Sequence, residues 1–225
     1  MPHSVDACVN LDTLKVRTSL TLDFVNPTRQ SEGSAGAIQE LILATNRSRK
    51  KRVELLTQAL PDVHAATVFW DTVSEDQEKA TASAAPEFGL QLVDVQLLDQ
   101  AYDYEKALAQ VPPDFRSVVI FPASPVFYRD RERLAEFGVR HKVATIFAFR
   151  EWVDAGGLLS YGVDFAAMFR RAAEFVDMIA KGDKPANLPV EQPTKFELVI
   201  NLKTADAIGI TISPLILARA DAVIE

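Results

Sequence analysis

At 225 residues, with 48% hydrophobic and 24% charged side chains, the chain has ordinary globular composition, which excludes a largely disordered protein. A net charge of -7 argues against a broad nucleic-acid surface, because that would need lysine and arginine to neutralise phosphates. Cys8 is the only cysteine, so an intrachain disulfide and a cysteine-built metal centre are excluded as well.

In chain order, the first 50 residues carry a weak pattern. Val16 to Val25 alternates in part and predicts one strand; Asn26-Pro27-Thr28 and Ser31 to Ser34 supply turn chemistry, and Ala37 to Leu43 suits a short helix. Arg47 to Lys51 and Arg52 place five basic residues in six, read as a solvated helix start or linker. From Lys51 the pattern sharpens. Val53, Leu55, Leu56, Ala59 and Leu60 recur at helical spacing until Pro61-Asp62. Ala65 to Trp70 is a strand, and Ser74 with Gln77 reads as a capping box opening a helix to about Ala85. Leu90 to Leu97 is a strand, Tyr102 to Gln110 a helix, and Ser117 to Phe121 a continuously apolar strand of the kind covered on both faces. Asp130 to Arg140 is an amphipathic helix, Val143 to Phe149 a strand, and Leu158 to Tyr161 another. Asp164 to Lys181 is the clearest helix, with Phe165, Met168, Phe169, Ala172, Val176 and Ile179 in one stripe, Asp164 as N-cap and Gly182 as the stop. Phe196 to Leu202 is a strand, and Thr204 to Ile208 and Leu215 to Ile224 are closing helices.

Strands alternating with helices between 51 and 162 imply an α/β fold with a parallel sheet and right-handed crossovers. In such sheets ligands sit beyond the carboxyl ends of the strands. Four stretches occupy those positions: Asp71-Thr72 with Glu75, Pro122 to Pro125 with Ser124 among them, Phe149 to Trp152, and Ser160 to Gly162 followed by Asp164. Their chemistry suits a small polar or zwitterionic ligand. Carboxylates hold an amine, Arg150 and helix N-termini hold a carboxylate, and Tyr161, Phe149 or Trp152 cover apolar bulk. Each also has a structural reading. Asp71 and Thr72 can cap a helix, Arg150 and Glu151 can form a surface ion pair, and Tyr161 and Trp152 can be core.

Enzyme motifs are missing. There is no Gly-x-Ser-x-Gly elbow, no phosphate-binding glycine loop and no Gly-x-Gly-x-x-Gly. His64 and His141 precede strands, at the end of the sheet away from such a site. Nothing in the sequence calls for a cofactor or a metal. No apolar run approaches the roughly 20 residues of a membrane helix. Met1 to Cys8 lacks the basic start and apolar core of a signal peptide.

Lys51 to Pro61, Phe149 to Gly162, Phe169 to Ala173, Leu188 to Ala205 and Leu217 to Asp221 together resemble the substrate-binding proteins of ABC transporters. The resemblance is to the type I periplasmic group that includes aromatic amino-acid binders. It implies two Rossmann-like lobes, with a solute trapped between them by hinge closure and presented to permease subunits in the membrane. By position it carries Asp71, Thr72, Ser124, Phe149, Arg150, Glu151, Tyr161 and Asp164 to the cleft, with Ser160 to Val163 as a hinge crossing. It implies a second lobe made of 51–158 and 196–225, and a remnant of the first made of 1–50 and 159–195, with most of that first lobe lacking. The expected function is the binding of an amino acid or similar solute, without catalysis. Alternatives are an intracellular sensing or interaction module, a truncated non-functional homologue, or a small α/β enzyme. The family setting is periplasmic, whereas the N-terminus as written fits the cytoplasm. The helix after Asp164 would lack the sheet it should cover, so a homo-oligomer is expected.

Overall fold

The structure, a computed structural model, describes residues 48–98, 101–189 and 191–225. The strand expected over 16–25, its turns and the helix over 37–43 lie outside the described residues. The description opens in helix α1, whose described part covers 48–59. Strand β1 (Ala65–Trp70), helix α2 (Glu75–Ala84), β2 (Gln91–Gln96), α3 (Tyr104–Gln110) and β3 (Val118–Ile120) follow. Next come α4 (Pro125–Arg129), α5 (Arg131–His141), β4 (Ala144–Phe147), α6 (Arg150–Asp154), β5 (Leu159–Val163) and α7 (Phe165–Ala180). The chain closes with β6 (Phe196–Asn201), α8 (Leu202–Ile208), α9 (Pro214–Leu217) and β7 (Ala222–Ile224).

The seven strands form one sheet in the order β2-β1-β3-β4-β5-β6-β7. All neighbours are parallel except β5 and β6, which run antiparallel from Leu159↔Ile200 to Val163↔Phe196. The two faces of the sheet bury different chemistry. One is aliphatic: Leu55, Leu56 and Ala59 of α1 and Ile208 of α8 pack on Val68, Ile120, Ile146 and Ile200. The other is aromatic: Tyr104, Phe127, Phe137 and Trp152 from α3 to α6 pack on Phe69, Phe121 and Phe147. The ring of Phe121 lies 5.3 Å from that of Phe147 in a stacked pair. Alternation along each buried strand sends neighbouring side chains to opposite faces.

Several elements differ from the sequence expectation for local reasons. The closing helix expected over Leu215 to Ile224 ends at Leu217. Asp221 then turns the chain, since its N–H donates to the Leu198 carbonyl at 2.9 Å and its Oδ2 accepts from Leu198 N at 2.7 Å. That bond pair lays Ala222, Val223 and Ile224 along the open edge of β6. Helices α4 and α6 have five residues each, too few for an apolar period to be read. The capping box does not form. Ser74 makes no side-chain cap on α2, and Gln77 reaches away from the helix instead. The basic run is not wholly solvated either: Arg52 is only 5% exposed, because it continues the inward stripe of Leu56 one turn back.

Candidate functional site

The helix after β1 covers the aliphatic face, whereas those after β3 cover the aromatic face. The connections therefore diverge between two adjacent strands, so the carboxyl ends of β1 and β3 are where a sheet of this kind forms its ligand crevice. Asp71 and Ser124, the residues expected there, are brought into direct contact. The Ser124 hydroxyl donates to Asp71 Oδ2, and the Tyr102 hydroxyl donates to the same oxygen at 3.3 Å. Asp71 Oδ1 accepts from Ser74 Oγ at 2.7 Å and from Ser74 N at 3.0 Å. Asp71 is 1% exposed, so its carboxylate is held by three hydroxyls and one amide rather than by a cation. Burial, and then the charge of Asp71 itself, push the Tyr102 phenol up to about 12, which keeps it a donor.

A second tie runs beside the first. Gln77 Nε2 donates to the Ala123 carbonyl at 2.8 Å, and Ala123 N donates back to Gln77 Oε1 at 2.9 Å. The β1–α2 and β3–α4 loops are thus stapled across the crevice at two points. Thr72 and Val73 stand exposed at the tip of the first loop. Tyr102 and Gln77 escaped sequence reading as site residues, since only the sheet order brings the loop of Tyr102 and the first turn of α2 to this point.

Phe149 ends β4's loop and belongs to an aromatic strip along the same edge. Its ring stacks on Trp152 at 5.5 Å and on Phe165 at 4.0 Å, while Tyr128 meets Trp152 edge-on at 5.2 Å. Trp152 is buried, with its indole N–H on the Phe127 carbonyl, so it supports the strip. Arg150 is engaged by Asp154 at 3.1 Å and Glu197 at 3.6 Å. Glu151 sits half-buried beside them, with its Oε2 enclosed and unpartnered among the described residues. Burial holds the Glu197 carboxyl above its ordinary value, with Arg150 opposing and Asp164 and Glu151 adding to the rise.

The remaining expected residues lie apart. Tyr161 turns its ring to the aliphatic side, where it stacks on Phe196 at 5.8 Å. Asp164 caps α7 by accepting from Ala167 N at 2.9 Å and pairs with Lys195 at 2.7 Å. Between them, Gly162 approaches the β4 loop so closely that a Cβ would stand 1.7 Å from the Ala148 carbonyl oxygen. The expected set thus divides into Asp71, Thr72 and Ser124 at the crevice, Phe149, Arg150 and Glu151 at the mouth of α6, and Tyr161 and Asp164 along the β5 exit. Among the described residues, no three His, Cys, Asp or Glu side chains converge as a metal set. The assembled groups are donors, acceptors and rings, suited to holding a small polar molecule.

The family model described as ABC transporter substrate binding protein matches residues 42–224. No curated protein sequence matches the chain. Solved structures that resemble it include a conserved domain protein from Vibrio cholerae O1 biovar El Tor, at TM-score 0.69 and 25% identity over 78% of this chain and 60% of that one. Another is the ABC domain in complex with L-Trp from Streptococcus pneumoniae, at TM-score 0.67 and 22% identity over 79% and 60%. A third is a ligand-free, open substrate binding protein with adhesive properties from Clostridium difficile, at TM-score 0.58 and 17% identity over 78% and 59%. This chain therefore spans about 60% of the length of the structures it resembles. The α/β architecture and the extent of the family match lead to one conclusion: the chain belongs to the ABC transporter substrate-binding protein family.

Proposed function

We propose that this chain forms one wall of a cleft that binds a small organic solute, an amino acid or a close relative, and passes it unaltered to the permease of an importer. The reading rests above all on the stapled crevice. Asp71, Ser124, Tyr102 and Ser74 fix two strand-end loops before any ligand arrives, which lowers the ordering cost of binding. The aromatic strip of Phe149, Phe165 and Tyr128 supplies apolar area beside it. The similar Streptococcus pneumoniae structure holds L-Trp, which supports an amino-acid class of solute.

In this reading 51–163 and 196–225, which share the one sheet, build one lobe, 164–195 passes toward the other, and closure selects the state in which both lobes touch the solute. The protein works on the periplasmic side of the membrane, where permease subunits receive it. Catalysis is not part of the role, and nucleic acid is not a partner.

A thermal-shift screen of L-amino acids at neutral pH tests the proposal, because a ligand selective for the folded state raises the melting temperature. At least one is expected to raise it, and the Asp71→Ala and Phe149→Ala variants should lose that rise. A flat screen would refute solute binding. An undiminished rise in both variants would move the site elsewhere.

A further inference from the structure

Arg52 is the only buried lysine or arginine among the described residues. It lies on the face of α1 that packs against the sheet, near that helix's entry to the carboxyl edge. Its Nε donates to the Tyr161 carbonyl at 3.1 Å, on β5 just beyond the last residue paired with β4. No carboxylate pairs with it among the described residues. Burial, and then the neighbouring Arg49, draw its pKa down to about 10, with Tyr161 opposing, so the guanidinium stays cationic at neutral pH.

Two other cations along this edge already have counter-charges. Arg150 is shared by Asp154 and Glu197, and Lys195 is held by Asp164. A buried charge without a partner is unfavourable unless an anion completes it. Arg52 is also oriented. With Nε fixed on a backbone carbonyl, its two terminal nitrogens remain as a fork that matches a carboxylate bidentately. The fully enclosed polar atoms lacking a partner among the described residues are Glu151 Oε2 and Ser160 Oγ. The terminal nitrogens of Arg52 are not in that set and make no hydrogen bond among the described residues, so they are not fully enclosed.

We propose that Arg52 receives the carboxylate of the bound solute and thereby restricts the site to ligands that carry one. The proposal rests on the solute-binding reading and adds a residue and a chemical requirement to it. Arg150, the cation expected from sequence for this task, is committed to two carboxylates; Arg52 is not.

The test pairs each L-amino acid with its carboxamide, keeping side chain and amine while removing the negative charge, and measures both by calorimetry on the full chain. Wild type should bind the best acid at least about tenfold more tightly than its amide. Arg52→Gln should erase that preference by weakening the acid alone, and Arg52→Lys should retain part of it. Should the glutamine variant fail to fold, a shrunken acid preference in the lysine variant decides the point. Equal losses for acid and amide would overturn the proposal by assigning Arg52 an intramolecular anion. Binding of amides or other uncharged solutes without acid preference would overturn it while leaving solute binding intact. No binding by any compound would overturn both.

Discussion

Helices α5 and α7 carry the same kind of apolar stripe and end in opposite environments. In α5, Leu134, Ala135, Phe137 and Gly138 are buried, and Phe137 packs among Phe69, Tyr104 and His141. In α7, which is longer and more sharply amphipathic, no residue is buried among the described contacts; Phe169 is 73% and Val176 64% exposed. What holds α7 is local. Asp164 caps its start, Arg171 pairs with Glu174 and Glu191, and Lys181 pairs with Asp177. Phe165 touches the body, through Phe149 and Tyr128. An apolar stripe announces that a helix has a partner, while the partner's identity is a tertiary matter.

The contrast can be broken most directly by truncation. Phe137→Ala should cost about 3–5 kcal/mol in denaturant unfolding, whereas Phe169→Ala should change stability by no more than about 0.5 kcal/mol. Comparable losses would mean that α7 is covered as fully as α5. Gly162→Ala, just before α7, should cost about 1–3 kcal/mol or more, because its Cβ collides with the Ala148 carbonyl. An unchanged midpoint would show that the β5 exit shifts freely.

The exposed stripe leads to an expectation of self-association. Light scattering at micromolar concentration should give a dimer or larger species, and Phe169→Glu with Val176→Glu should return it to monomer. A monomeric wild type would remove this difference between the helices.

The smallest expected effect is in acid. Burial opposes ionisation of Asp130 at the start of α5, but bonds from Arg129 and Tyr104 outweigh it and hold its carboxyl below the ordinary value. Lys195, then the Ala167 amide, do the same for Asp164 at the start of α7. A folded pKa below the unfolded one stabilises above about pH 4 and is lost as pH falls through the folded value. Asp130→Asn should flatten the acid limb of the stability curve by about a few tenths of a kcal/mol, since its arginine partners Arg129 and Arg133 are exposed and screened by solvent. Asp164→Asn should leave the global limb unchanged and alter only the protection of α7 amides against hydrogen exchange.

Most strands and the longer helices were legible because burial repeats along them. Val118 to Ile120 is apolar throughout as both faces are covered, and Val53 to Leu60 keeps helical spacing against the sheet. The short helices α4 and α6 were not legible, nor was β7, which exists because Asp221 bonds Leu198 across the edge of β6. At the site, Asp71 and Ser124 could be named as strand-end residues. Their union could not, since 53 positions separate them and only the β2-β1-β3 order makes them neighbours. Arg52 lay within a charge run that read as solvated, although its position one turn before Leu56 was the available signal.

The sequence by itself determined the α/β alternation, the family and the placement of polar residues after strand ends, since these depend on local periodicity and turn chemistry. Tertiary structure alone decided which loops meet at one point and, among the described residues, which buried cation lacks a counter-charge and which apolar stripe stays bare. Those outcomes depend on sheet order and on the desolvation of groups far apart in the chain.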